Sequence, residues 1–216
     1  PVLVTSRVTG YQRRAVGSHD NLGTTRLELP PQELETRAVV FTWDDDDRRS
    51  RAALDAGCDA ATLPGALHAA EHGAIGMLGL FGLCDRWDVG GLSTADHPDT
   101  GGPTVLIHDG YPGGAGIAEL AERVAEEHLA ATRTAIAECT CEAGCPSCVQ
   151  SPKCGNLNEP LDKAGALIAI DALLGRGQRR RDRGDRPRCR DRQGHRRPSP
   201  AIAGLPRPSN RPKGSR

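Results

Sequence analysis

The sequence has no long apolar run. Its longest, residues 74–84, holds 11 residues and includes three glycines, where a bilayer span needs about 20. A transmembrane helix is therefore excluded, and no contact with a membrane is expected. No basic, apolar, small-residue leader opens the chain, so a secretory signal is not expected either. There is no G-x-x-x-x-G-K-[ST] phosphate loop, no D-E-x-H box and no recognisable arginine-finger motif. Without a lysine and a magnesium site to hold phosphates, this chain is not expected to hydrolyse ATP by itself. The first residue is Pro1 rather than methionine, and the expectation is a piece of something longer.

Net charge is also missing, but only in sum. The 216 residues carry 28 Lys and Arg against 28 Asp and Glu. Residues 176–216 hold 15 of the basic residues and three of the acidic ones, which leaves 13 basic and 25 acidic in residues 1–175. An acidic body is thus joined to a basic tail. That tail has six prolines and five glycines and no apolar periodicity, so it is expected to be disordered. Its arginines would suit nucleic acid, although an out-of-frame read of a GC-rich gene has the same composition.

Short β-branched runs at residues 2–8, 25–29 and 38–43 read as strands. Asp44, Asp45, Asp46 and Asp47 then form a run expected to be a solvated loop, because adjacent carboxylates repel and resist burial. Residues 67–83 read as a helix, in which Leu67, Ala70, Ala74, Met77, Leu78 and Phe81 recur at helical spacing, with Pro64 just upstream marking a start. Two further strands are expected at 87–94 and 104–108, and helices at 117–137 and 161–174. The fold class is therefore α+β: a small mixed sheet with packed helices and a cysteine knuckle, then the basic tail. The expected divisions are residues 1–50, 51–175 and 176–216.

Eight cysteines spread along a chain would suggest disulfides, but five of these (Cys139, Cys141, Cys145, Cys148 and Cys154) fall within 16 residues. Such clustering points to a metal and a reducing, cytoplasmic setting. Cys141, Cys145, Cys148 and Cys154 can close a tetrahedral zinc site with no open position, hence a structural one. Cys139 could replace Cys141, and sulfur ligands suit an iron–sulfur cluster as well. Cys141-x3-Cys145-x2-Cys148 is also the three-cysteine spacing of radical-SAM enzymes, but those build a large barrel after the motif and only 62 residues follow Cys154, so radical chemistry is not expected.

Two other patterns stand out. His68-Ala69-Ala70-Glu71-His72 is an H-x-x-E-H sequence, which in some zinc peptidases supplies two ligands and a general base. No third ligand is identifiable, and a buried helix with two histidines on its polar edge is the favoured reading. The glycine-rich stretch 109–116 leads from a strand into a helix and offers free backbone N–H groups, a possible phosphate site. A tight structural turn is the better expectation there.

Residues 67–174 resemble the C-terminal portion of MrfA-like and Hrq-type superfamily-2 DNA helicases. The resemblance rests on Leu67-His68-Ala69-Ala70-Glu71-His72, on Cys84-Asp85-Arg86-Trp87-Asp88-Val89-Gly90-Gly91 and on the 109–116 glycine stretch. Most specific is the stretch from Cys141 through Cys145-Pro146-Ser147-Cys148 to Cys154-Gly155-Asn156. In that family this region is the zinc-binding MrfA (MZB) domain. The resemblance implies a DNA-repair, ATP-dependent 3′–5′ helicase as parent, with DNA and the ATPase core as partners. It also implies ATP and Mg²⁺ bound only in that missing core, and structural Zn²⁺ on Cys141, Cys145, Cys148 and Cys154. A zinc metallopeptidase using His68, Glu71 and His72 is the alternative, and a free-standing DNA-binding protein is a third reading.

Overall fold

Val39, Phe41 and Trp43 alternate along the fifth strand, and all three are buried. Alternation of this kind puts one face of a strand into a core. In the computed structural model, which describes residues 1–43 and 48–175, that strand is β5 (Ala38–Thr42). It forms an antiparallel sheet with β7 (Gly102–Asp109) at the centre and β6 (Val89–His97) on the far side. Val39 faces Ile107 and Phe41 faces Val105 in register, so the apolar rows of β5 and β7 coincide.

The other strands form two small ribbons. β1 (Val2–Ser6) pairs with β4 (Gln32–Thr36), and β2 (Gly10–Arg14) with β3 (Asn21–Arg26), both antiparallel. The expected α+β class holds. The strands, however, pair antiparallel throughout the described residues, in three small sheets rather than one mixed sheet. β2 and β4 are mostly exposed and polar, so no apolar pattern in the sequence marks them.

Helix α2 (Leu63–Met77) is the central element, with 12 of its 15 residues buried. A helix buried on nearly every side is covered by neighbours all round. It packs against α5 (Lys163–Leu173), α4 (Ala125–Glu138), β6 and β7. Small residues make these approaches possible: Cβ atoms added to Gly73 and Gly165 would lie 2.9 Å from Ile136 Cδ1 and 2.6 Å from Ala66 Cβ. Gly73, one of the glycines that weaken the helical pattern in the sequence, is thus a helix–helix contact. Pro64 sits in the first turn as expected. The helix ends at Met77 and passes into a 3-10 turn at Leu78–Leu80, leaving Leu80 and Leu83 exposed.

Two further differences from the sequence expectation have local causes. The expected helix 117–137 is broken at Val124 (φ −111°, ψ 25°) into α3 (Ile117–Arg123) and α4. Helix α1 (Arg48–Asp55) is short and has only Ala52, Ala53 and Leu54 as an apolar patch, too little periodicity to recognise. Trp43 closes the core from β5, where its indole N–H donates to the Ala169 carbonyl of α5 at 3.1 Å. No helix among the described residues is long and apolar enough to cross a membrane. The Asp44–Asp47 run and the basic tail lie outside the described residues.

His128 of α4 is fully buried. Its Nε2 pairs with the Ala74 carbonyl at 2.8 Å, while its Nδ1 has no hydrogen-bond partner among the described residues. Burial pushes its pKa down, with the Ala74 contact opposing. The unfolded chain therefore takes up this proton more readily, near the ordinary histidine value of about 6.5. The neutral ring's contribution is present above that value and is lost as pH falls below it, toward the folded pKa. Denaturant midpoints measured with zinc in excess should drop as pH falls below about 6.5, and His128→Phe should flatten that slope. An unchanged slope in the variant would refute the assignment.

Candidate metal centre

α4 ends at Glu138, and its cap, Cys139, is extended (φ −69°, ψ 124°). In extended backbone, residues i and i+2 point to the same side. Cys139 and Cys141 thereby present both sulfurs together, 3.6 Å apart. The chain then turns at Gly144, whose φ of +113° favours glycine. It returns through Cys145 and Cys148 in a tight loop in which the Cys148 and Val149 amides both donate to the Cys145 carbonyl. Cys139 lies 3.5 Å from Cys145, Cys141 lies 3.5 Å from Cys148, and Cys145 lies 3.8 Å from Cys148.

These spacings test whether a metal fits. Four sulfurs at about 2.3 Å from a tetrahedral zinc lie roughly 3.8 Å apart; a disulfide would bring a pair to about 2.05 Å. All four donors lie within 4.8 Å of one another, so the cluster matches a four-thiolate site.

The surroundings favour sulfur as anion. Lys163 Nζ donates to the carbonyls of Cys139 and Cys141, both at 2.6 Å, and approaches Cys141 Sγ at 3.5 Å. The Cys145 amide donates to Cys148 Sγ at 3.3 Å. Burial pushes the Cys141 thiol up, but hydrogen bonds from Cys148, Cys139 and Cys145 outweigh it and bring the pKa down to about 7. Burial pushes Cys148 up to about 12.

The sequence groups Cys154 with Cys141, Cys145 and Cys148. The structure brings those three together with Cys139 instead. Cys154 stands on the other side of Val149, beside His68 and His72. The local signal for this arrangement is the i, i+2 spacing of Cys139 and Cys141. Spacing alone offers the two as alternatives, whereas an extended segment lets both act at once.

The H-x-x-E-H residues lie on α2, and all three are buried. His68 Nδ1 pairs with the Pro160 carbonyl and His72 Nδ1 with the Val149 carbonyl, each at 2.9 Å. Glu71 accepts a hydrogen bond from Ser93 Oγ at 2.5 Å, and burial pushes its pKa up despite that bond.

The glycine-rich turn is a structural device, as the sequence favours. The Asp109 carboxylate accepts the backbone N–H groups of Ala115, Gly116, Ile117 and Ala118. The donors that could have held a phosphate are already taken by a side chain at the start of α3. Gly113, Gly114 and Gly116 have φ of +76°, +91° and +85°, which lets the chain wrap around that carboxylate.

Fold and cluster together define a small α+β metal-binding domain whose thiols join the end of α4 to the loop before α5. Residues 70–149 match the MrfA Zn-binding domain family, abbreviated MZB. Over 111 residues the chain is 35% identical to an uncharacterized protein of Methanocaldococcus jannaschii, covering 50% of this chain and 99% of that one. It is 30% identical over 152 residues to YprA of Bacillus subtilis, described as an uncharacterized ATP-dependent helicase, covering 68% of this chain but 19% of YprA. Among solved structures, the DUF1998 helicase MrfA bound to DNA shares the fold with a TM-score of 0.56 and 26% identity, over 79% of this chain and 21% of that one. This chain belongs to the MrfA zinc-binding domain family. It spans about a fifth of the length of the helicases it matches.

Proposed function

We propose that this chain is the zinc-binding accessory region of a larger ATP-dependent DNA helicase acting in DNA repair with 3′–5′ polarity in the cytoplasm. The observation that carries the reading is the four-thiol cluster, spaced for zinc, in and beside the stretch that matches the MrfA domain. Cys139, Cys141, Cys145 and Cys148 hold a structural Zn²⁺ with no vacancy for a reacting molecule. The ion ties α4 to the segment leading into α5. ATP and Mg²⁺ bind in core domains elsewhere in the protein, and residues 1–50 lead toward them.

The β2–β3 hairpin is the surface that suits DNA. Arg13, Arg14 and Arg26 are exposed on it with Tyr11, and Arg7 is exposed just before it. Residues 1–27 carry four arginines against Asp20 as the sole acid, within an otherwise acidic body. Phosphates and an aromatic ring are the contacts a non-sequence-specific grip uses.

The double variant Arg13→Glu, Arg14→Glu in the 216-residue chain should weaken binding to a single-stranded oligonucleotide. It should also lower the slope of log affinity against log salt by about 1 for each phosphate that the hairpin no longer neutralises. Wild type and variant share the basic tail, so the difference reports the hairpin. Equal affinities and slopes would refute the DNA contact, and zinc content should not change.

A further inference from the structure

We propose that His68, His72 and Cys154 form a second metal site, specific for a zinc-like divalent cation and distinct from the four-thiol cluster. Residues 86 positions apart in sequence supply it: two successive turns of α2 give the histidines and the loop after Val149 gives the thiol. Their donor atoms lie within 4.8 Å of one another.

Both imidazoles are oriented for ligation. Each Nδ1 faces a backbone carbonyl, Pro160 for His68 and Val149 for His72. A neutral ring that donates Nδ1–H to a carbonyl keeps its Nε2 lone pair free, which is how metal-binding histidines are commonly set. His68 Nε2 stands 3.4 Å from Cys154 Sγ. Nitrogen and sulfur bound to one tetrahedral zinc lie roughly 3.5 Å apart. The two rings meet edge to face with centroids 4.3 Å apart, near enough to share an ion.

The sulfur is prepared in the same way. The Asn158 amide donates to Cys154 Sγ at 3.4 Å, as the Cys145 amide does to Cys148. Asn158 is held in the left-handed region (φ 62°) and its side chain clamps both backbone groups of Ser151. The loop is thus fixed in the shape that aims Cys154 at α2. When the cation binds, the thiol proton leaves to solvent and two neutral imidazoles and one thiolate remain as ligands.

Three protein donors leave a fourth position, and the structure provides space for it. A cavity of about 190 Å³ is lined by His68, His72 and Cys154 together with Glu71, Ser93 and Lys153. Lys153 is held back from the ligand position, its ammonium donating to the Arg86 and Val89 carbonyls. The Glu71 carboxyl balances it from the same wall. A water on the fourth position would find Glu71 as an acceptor. Nitrogen and thiolate donors select zinc over magnesium or calcium.

The test is metal counting on the full chain, saturated with Zn²⁺ and freed of excess by gel filtration. Two zinc ions per wild-type chain are expected. Cys154→Ser and His72→Gln should each retain one, with unchanged far-ultraviolet circular dichroism, and Cys145→Ser should lose the other. Co²⁺ loaded into the wild type, where no variant has to fold, should give an absorption spectrum with separate four-sulfur and two-nitrogen, one-sulfur components. One ion per wild-type chain, kept in Cys154→Ser and lost in Cys145→Ser, would overturn the second site and leave the four-thiol site standing. One ion lost in Cys154→Ser and kept in Cys145→Ser would uphold the second site and overturn the first.

Discussion

Cys145→Ser should release the ion of the four-thiol cluster and loosen the segment between α4 and α5. A serine hydroxyl is a poor substitute for a thiolate, and three sulfurs leave the cation partly hydrated. Structural zinc contributes on the order of 10 kcal/mol to folding in small metal domains, comparable to the whole stability of a typical domain. The effect should therefore reach well beyond one loop. Residues 139–148 have little apolar burial of their own besides Cys148, and the next residue, Val149, is fully buried. Hydrogen exchange should accelerate across residues 139–162, and native mass spectrometry should show one ion fewer. Full protection of that segment in a protein lacking the ion would contradict the structural role. Chelation at neutral pH, which removes the ion of the second site as well, should accelerate exchange across the same segment.

Asp109→Ala should be nearly as damaging without touching any metal. The carboxylate is fully buried and accepts four backbone amides at the entry to α3. Removing it leaves those donors without their acceptor; Ala115 and Gly116 are exposed and can turn to water, whereas Ala118 is buried and cannot. A buried donor left without an acceptor costs about 1–3 kcal/mol, and the charge-assisted hydrogen bonds that are lost are the stronger kind. The consequence extends to β4, because the Thr36 hydroxyl donates to the carbonyls of Asp109 and Tyr111 at 3.1 and 2.9 Å. The denaturant midpoint should fall sharply while zinc content stays the same. Asp109→Asn, which keeps one accepting oxygen, should fall between. A loss below about 1 kcal/mol, the value of one ordinary hydrogen bond, would mean the turn holds its shape without the carboxylate.

The two substitutions separate the two means by which this small chain fixes its loops. One loop is pinned by a cation and the other by a side-chain anion. In each case the backbone has glycines with positive φ at the places where it must wrap closely, Gly144 in the first and Gly113, Gly114 and Gly116 in the second.

Much of this is legible in the residues. The strands 38–43 and 104–108 are marked by β-branched and aromatic runs, and α5 by an uninterrupted apolar stretch. The clustering of five cysteines announces a metal because no globular core needs thiols at such spacing. Helix α2 is visible in outline from Leu67, Ala70, Ala74 and Met77. Its pattern is weakened by glycines such as Gly73, whose purpose emerges only when Ile136 is seen against it. The break at Val124 is hidden, since residues 117–137 contain neither proline nor glycine after position 116.

The sequence by itself determined the class of the domain, that thiols would hold a metal, and most of the donors, because residue type sets ligand chemistry and local spacing sets reach. Only the tertiary structure decided which sulfurs share one centre. That choice depends on the direction of the chain after Val149, which carries Cys154 away from Cys141 and onto α2. It also placed the histidines of an ordinary-looking helix beside that thiol, a juxtaposition across 86 residues that no local pattern encodes. The physical reason is that ligand geometry is set by distances in space, and along this chain those distances are fixed by how α2, α4 and α5 pack.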